Sequence, residues 1–179
     1  MELEHRSQLG ELMASLGLPM TAVEVGVAEG RYSLEMVRWG LTRLYLVDRW
    51  ESTPTAPGDS ASPQDWHDRN LTDCQARLKD YAAMVTFLRG DSVEMSAHVP
   101  DASLGLVYLD ACHEYGWVCR DIVAWLPKLV SGGILAGHDY FGYPGVKRAV
   151  DEFAERKGWP LHFTPDGAPE NTGFWVRRD

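Results

Sequence analysis

The chain has few cysteines, and no two of them lie close together. Its 179 residues include only Cys74, Cys112 and Cys119. Zinc sites commonly use cysteine pairs about two to four residues apart, and a disulfide framework uses an even number. The sequence therefore predicts neither kind of site. We expect reduced thiols, as is usual for a cytoplasmic protein.

Basic clusters and long apolar runs are also missing. Lys and Arg number 17 against 26 Asp and Glu, a formal net charge of -9, and no basic run is present that would neutralise nucleic-acid phosphates. No apolar stretch approaches the roughly 20 residues of a membrane span, and the charged first residues do not resemble a signal peptide. We expect a cytoplasmic protein that acts on a small molecule, without nucleic acid or membrane as partner. Homo-oligomerisation is left open.

The chain does contain a regular alternation of apolar strands and amphipathic helices. Strands are predicted at residues 21–25, 44–47, 84–88, 104–109 and 134–136, and two more at 161–164 and 173–177 follow each other without a helix. Alternating strands and helices build a parallel sheet. The predicted fold class is α/β, a doubly wound, mostly parallel Rossmann-like sheet with an antiparallel C-terminal edge strand, formed by residues 1–179 as a single domain.

Two segments between these elements carry further predictions. A helix with an apolar face from Val118 to Leu129 is expected to end at the turn formed by residues 131–133. Residues 51–65 hold three prolines and a glycine and fit neither periodicity. A loop of this length in a compact domain is either functional or disordered, so we expect a flexible loop or a lid here.

Polar residues recur where the predicted strands end. They are Glu24 with Gly26, Asp48, Asp91, Asp110, and His138 with Asp139. Ligands of doubly wound sheets bind beyond the carboxyl ends of the strands, so these residues are candidates for one binding site.

The turn after the first strand indicates which cofactor is bound. A dinucleotide fingerprint has three glycines at fixed spacing around a pyrophosphate. Here Ala28 replaces the middle glycine, Gly30 comes one residue early, and Glu29 adds a negative charge. An acidic turn is better suited to a cationic sulfonium than to a pyrophosphate.

Three ordered motifs then carry a resemblance to class I S-adenosylmethionine-dependent methyltransferases, specifically a small branch of them. The matching residues are Val23, Glu24, Gly26, Gly30 and Ser33; Asp110, His113 and Tyr115; and Gly132, Gly133, His138, Asp139 and Tyr140. The resemblance covers about residues 20–155.

The resemblance implies a set of cofactor contacts for S-adenosyl-L-methionine. It places Glu24, Gly26 and Gly30 around the methionine portion, counts Ser33 among the cofactor contacts, and places Asp48 at the ribose hydroxyls, which a carboxylate can hold by accepting hydrogen bonds. It also places Asp91 and Ser92 at the adenine, and Asp110 at the region of methyl transfer.

Deprotonating a hydroxyl acceptor requires a base, and His113 is the candidate, with Asp110 beside it, because imidazole titrates near neutral pH. The alternative is that His113 only caps or orients its turn.

Related enzymes use a divalent metal, for which Asp110, His138 and Asp139 are the candidate ligands. The alternative is direct hydrogen bonding of the substrate by His138 and Asp139.

The expected function is methyl transfer from S-adenosyl-L-methionine to a small acceptor, at an oxygen of a sugar or natural-product intermediate. Two alternatives stay open at this point. One is an NAD(P)-dependent oxidoreductase on a Rossmann-like fold, and the other is a non-catalytic binding module.

Overall fold

A computed structural model describes residues 2–55 and 57–179 and contains one seven-stranded sheet flanked by helices. The strands are β1 Thr21–Val25, β2 Arg43–Asp48, β3 Val85–Arg89, β4 Leu104–Leu109, β5 Leu129–Gly137, β6 His162–Thr164 and β7 Gly173–Arg177. The α-helices are α1 Leu9–Ser15, α2 Arg31–Met36, α3 Gln64–Arg77, α4 Ser92–Ser96, α5 Tyr115–Trp125 and α6 Pro144–Lys157.

The strand order is β3-β2-β1-β4-β5-β7-β6. Strands β1 to β5 pair in parallel, whereas β7 is antiparallel to both of its neighbours, β5 and β6. The predicted mostly parallel sheet with an antiparallel C-terminal edge is confirmed. The antiparallel strand β7 lies one place in from the edge, and β6 forms the edge itself.

Each face of the sheet carries its own hydrophobic layer. One layer joins Leu44 and Leu106 to α1, α2 and α3, and the other joins Val23 and Val107 to α5 and α6. Every residue of β4 is buried. A strand covered on both faces needs an unbroken apolar sequence, which explains why β4 was predictable to the residue.

The boundary between α5 and β5 differs from the prediction. The helix ends at Trp125, a short 3-10 turn follows, and β5 already begins at Leu129 and passes through Gly132 and Gly133. Pro127 explains the difference, because proline lacks the N–H that an α-helix interior requires and its ring clashes with the preceding turn.

The proline-rich segment at residues 51–65 contains a short 3-10 helix, Gly58–Ala61, and the start of α3. The amide of Thr53 donates to the carbonyl of Ser60 at 2.6 Å, and the amide of Ser52 to Gln64 Oε1 at 3.0 Å. Ala56, within the predicted loop or lid, lies outside the described residues. Across the described chain, no helix is both long and apolar enough to cross a membrane.

Candidate active site

The main crevice opens where the strand order reverses, beyond the carboxyl ends of β1, β2 and β4. Backbone hydrogen bonds continue the ladder past the strands: the amide of Gly26 donates to Val47 O at 2.9 Å, and that of Asp110 to Val25 O at 2.8 Å. The cavity measures about 500 Å³. Its position is the one at which doubly wound sheets bind their ligands.

The turn after β1 depends on two glycines. Gly26 has φ of 88°, and a Cβ on it would lie 2.1 Å from the carbonyl oxygen of Asp110. Gly30 has φ of 75°, and a Cβ there would lie 2.6 Å from Cys74 Sγ. Residues that carry a Cβ atom are disfavoured at such positive φ values. Gly26 thus lets β1 and β4 approach, and Gly30 lets α3 pack beneath the turn.

Asp48 holds the same turn from β2. Its Oδ2 accepts the amides of Val27 and Ala28, both at 2.9 Å, and its Oδ1 accepts the amide of Trp50 at 2.9 Å. A carboxylate has about four acceptor positions, so one is left for the predicted ribose contact. The amides that would cradle a pyrophosphate are already bound to a carboxylate, which disfavours a dinucleotide.

Glu24 is 2% exposed and accepts a hydrogen bond from the hydroxyl of Ser33. Burial raises the pKa of Glu24 well above its usual value, against the opposing effect of the Ser33 hydroxyl. Glu24 and Gly26 line the crevice as predicted. Ser33 and Gly30 were predicted to touch the cofactor, but Ser33 is fully buried behind Glu24 and Gly30 lies against Cys74. Both support the turn from beneath.

Asp91 and Ser92, predicted at the adenine, line the crevice between β3 and α4. Asp91 caps α4 by accepting the amide of Val93 at 3.0 Å, and its other oxygen accepts a hydrogen bond from Arg49. Burial alone would raise the pKa of Asp91, but the hydrogen bonds from Arg49 and the Val93 amide hold it below its usual value. Asp91 is therefore ionised and fixed in position.

Two crevice residues on α5 were not predicted. Trp117 lies between Arg49 and Arg120, whose guanidinium carbons are 5.5 Å and 4.8 Å from its ring. Asp121 is 5% exposed. Burial raises the pKa of Asp121 to about 6, although a hydrogen bond from Ser92 opposes this. Its sequence signal is a carboxylate on the apolar side of an amphipathic helix.

Asp121 predicts a pH-dependent stability. The pKa of Asp121 is about 6 in the folded protein and 3.8 ordinarily. Ionisation of Asp121 therefore destabilises the folded state. This destabilisation is absent below about pH 4 and complete above about pH 6. We expect Asp121→Asn to gain about 2 to 3 kcal/mol relative to wild type between pH 4 and pH 7.5. Urea unfolding at both pH values measures this, with the exposed Asp80→Asn as charge control. A difference that does not change with pH would contradict it.

Three side chains converge at the carboxyl ends of β4 and β5. His113 Nε2 lies 3.0 Å from Asp139 Oδ2 and 3.6 Å from Asp110 Oδ1. One donor atom from each of the three residues lies within 4.8 Å of the others. Within the described ranges, Nε2 is buried yet aligned with no hydrogen-bond acceptor. The residues are therefore close in space without forming a hydrogen-bonded network around that nitrogen.

The environment of His113 also determines its charge. Burial lowers its pKa, but Asp110 and Asp139 together raise it to about 9. At neutral pH the ring then carries a proton, which it has to lose before Nε2 can act as the predicted base or bind a cation. The ring stacks on Tyr143, with centroids 4.1 Å apart and planes at 16°, so its orientation is fixed.

His138 does not belong to this group, contrary to the prediction of Asp110, His138 and Asp139 as metal ligands. Its Nδ1 faces Asp139 Oδ1 at 3.1 Å and its Nε2 faces Asp166 Oδ2 at 3.3 Å. The Asp139 carboxylate therefore faces both rings, with Oδ1 towards His138 and Oδ2 towards His113. His113 takes the place that the sequence suggested for His138.

The sequence also matches a known protein family. A family model described as "Methyltransferase domain" matches residues 23–140, which include most of β1, all of β2 to β5 and most of the residues that line the crevice. The chain belongs to this methyltransferase family. Membership implies S-adenosyl-L-methionine as the cofactor, and the nicotinamide alternative loses its support.

Solved structures share the fold of this methyltransferase. The O-methyltransferase NovP is 21% identical, with a TM-score of 0.70 over 96% of this chain and 77% of that one. The calicheamicin methyltransferase CalS11 is 20% identical, with a TM-score of 0.65 over 97% and 80%. A putative caffeoyl-CoA O-methyltransferase from Staphylococcus aureus is 12% identical, with a TM-score of 0.69 over 94% and 80%. No curated protein matches the sequence.

Proposed function

We propose that residues 1–179 form a single methyltransferase domain that methylates a hydroxyl oxygen of a small acceptor, a sugar or natural-product intermediate, with a divalent cation held by Asp110, His113 and Asp139. The observation that carries this proposal is the convergence of these three side chains, two of which, Asp110 and His113, line the crevice. The NovP and CalS11 names, an O-methyltransferase and a calicheamicin methyltransferase, support this acceptor class.

The three residues fit a cation. Adjacent ligands of a metal ion bound at about 2.1 Å are roughly 3 Å apart, and the Nε2–Oδ2 distance between His113 and Asp139 is 3.0 Å. Nε2 of His113, which forms no aligned hydrogen bond, supplies the donor atom that such a site needs once its proton is lost. Two carboxylates and an imidazole favour Mn²⁺ or Fe²⁺ over Mg²⁺, for which imidazole is a poor ligand.

When bound, the cation would lower the pKa of the acceptor hydroxyl and so make it nucleophilic at neutral pH. The chain supplies alignment, which is the main requirement of an in-line methyl transfer. Tyr143 fixes the His113 ring by stacking, and the Gly26 turn brings Asp110 next to the end of β1. His113 and Asp110 then act as ligands and not as a separate acid–base pair.

The cofactor would lie along the turn that follows β1. Glu24 and Gly26 face its methionine portion, the remaining acceptor position of Asp48 faces the ribose, and Asp91 and Ser92 face the adenine. Residues 57–60 and Trp66 also line the crevice, which supports the lid interpretation of residues 51–65 over the disordered one.

An assay with methyl-labelled S-adenosyl-L-methionine and matched acceptor pairs tests the proposal. Each pair, such as a glycoside and its amino-sugar analogue or a phenol and its aniline, differs only in the candidate methylated atom. We expect label on the hydroxyl member, loss of labelling with EDTA, and recovery with Mn²⁺. Labelling of amines alone would contradict O-methylation. Labelling that persists in EDTA would contradict the role of the cation.

A further inference from the structure

Acidic side chains dominate the crevice, and few cations line it. Glu24, Asp48 and Asp110 all face it, although S-adenosyl-L-methionine carries a carboxylate as well as an ammonium and a sulfonium. Three arginines line the crevice within the described residues: Arg6, Arg31 and Arg49. A carboxylate bound here needs one of them, because burying an unpaired anion among carboxylates is strongly unfavourable.

Two of the three arginines lie in other parts of the crevice. The side chain of Arg31 is 81% exposed and pairs with Glu29 on the rim. Arg49 is hydrogen-bonded to Asp91 and lies against Trp117, where the adenine is expected. Arg6 also pairs with an acid, Asp166, but it lines the crevice beside Glu24, where the amino-acid end of the cofactor is expected.

Arg6 is held rigidly beside Glu24. Its guanidinium lies 4.4 Å from the centre of the Tyr32 ring, and its Nη1 donates to the hydroxyl of Tyr108 at 3.3 Å. Tyr108 on β4 is the register partner of Glu24 on β1, and the side chain of Arg6 is only 22% exposed. A guanidinium fixed in this way loses little conformational entropy when it binds an anion.

The donors of Arg6 are not all used. Its Nε forms an ion pair with Asp166 Oδ2 at 2.7 Å but is not aligned with it, so this buried N–H donates no hydrogen bond within the described chain. A guanidinium has five N–H donors, and a planar pair of them matches the two oxygens of a carboxylate.

We propose that Arg6 binds the carboxylate of the methionine portion of S-adenosyl-L-methionine, so that the segment before α1 recognises the amino-acid end of the cofactor. This role rests on the proposed function. If Arg6 has this role, one side chain distinguishes cofactors with a carboxylate from those without. Arg6 belongs to none of the three sequence motifs.

Calorimetric titration with two ligands tests Arg6. S-adenosylhomocysteine carries the carboxylate, and its decarboxylated analogue, 5′-adenosyl-3-thiopropylamine, keeps only the ammonium. We expect the wild type to prefer S-adenosylhomocysteine by about 30-fold, in the range of a charge-assisted hydrogen bond. Arg6→Met should reduce this preference to about threefold or less, while its affinity for the analogue changes by less than about twofold.

Two further variants complete the design. Arg31→Met removes an exposed arginine from the rim of the same crevice and should keep the wild-type preference. Arg6→Lys keeps the charge without the planar donors and should give an intermediate preference, which also covers the case in which Arg6→Met does not fold. An unchanged preference in Arg6→Met, or an equal loss for both ligands, would overturn the assignment. If the wild type bound neither ligand, the proposed function itself would fail.

Discussion

Asp139→Asn is expected to weaken Mn²⁺ binding by about 100-fold or more and to abolish metal-dependent methyl transfer. Loss of a residue that only supports a metal ligand already costs about 10-fold to 100-fold in affinity, and here a charged ligand is removed. Asparagine tolerates the left-handed backbone of Asp139, with φ of 61°, so the variant should fold. Titration of metal-free protein with Mn²⁺, followed by calorimetry, measures the effect.

A pair of histidine variants makes this prediction more specific. His113→Gln should lose Mn²⁺ affinity as Asp139→Asn does, because Nε2 of His113 faces both carboxylates. His138→Gln should keep most of the Mn²⁺ affinity. The His138 ring faces Asp139 and Asp166, and His138 is not one of the three residues that converge. The reverse result would restore the ligand set that the sequence suggested and contradict the one in the structure.

Gly26→Ala is expected to destabilise the fold by about 3 kcal/mol and to remove cofactor binding. The new methyl group would lie 2.1 Å from the carbonyl oxygen of Asp110, so the ends of β1 and β4 would have to separate. Overpacking costs about 1 to 3 kcal/mol and a strained positive φ costs a similar amount. In a chain of this size the loss corresponds to a fall in Tm of about 10 °C.

Gly17→Ala is the matched control for this variant. Gly17 also has a positive φ, of 65°, but a Cβ there would meet nothing within 4 Å. It should therefore show only the backbone strain, about 1 kcal/mol, and bind S-adenosylhomocysteine normally. Equal effects of the two variants, measured by thermal unfolding and calorimetry, would show that the close approach of β1 and β4 at Gly26 is unimportant.

The sheet could be predicted from the sequence because its signals are local. Strands β1 and β4 were predicted to the residue, since strands buried on both faces are mainly apolar, and only Thr21 and Glu24 interrupt this pattern. The residues at the strand ends were also found, because the fold itself brings Gly26, Asp48, Asp91 and Asp110 to one edge. The end of α5 was misplaced because the hydrophobic periodicity continued past Pro127, which the pattern alone did not weigh.

The arrangement of side chains within the site was less predictable. Ser33 matched a motif, yet it faces Glu24 from inside the protein, and spacing does not tell which face of a turn a side chain occupies. The sequence assigned His138 to the ligands and His113 to the role of base, because spacing does not show which ring faces both carboxylates. Arg6 had no signal at all, because its position in the crevice follows from long-range contacts with Tyr32 and Tyr108.

Binding of S-adenosylhomocysteine compared with NADH tests the central claim most directly. A ligand that binds only the folded state raises Tm with its concentration, so thermal unfolding and calorimetry report on the same event. We expect S-adenosylhomocysteine to raise the Tm in proportion to the logarithm of its concentration and to bind at one site per chain, while NADH does neither. Stabilisation by NADH without binding of S-adenosylhomocysteine would contradict the account.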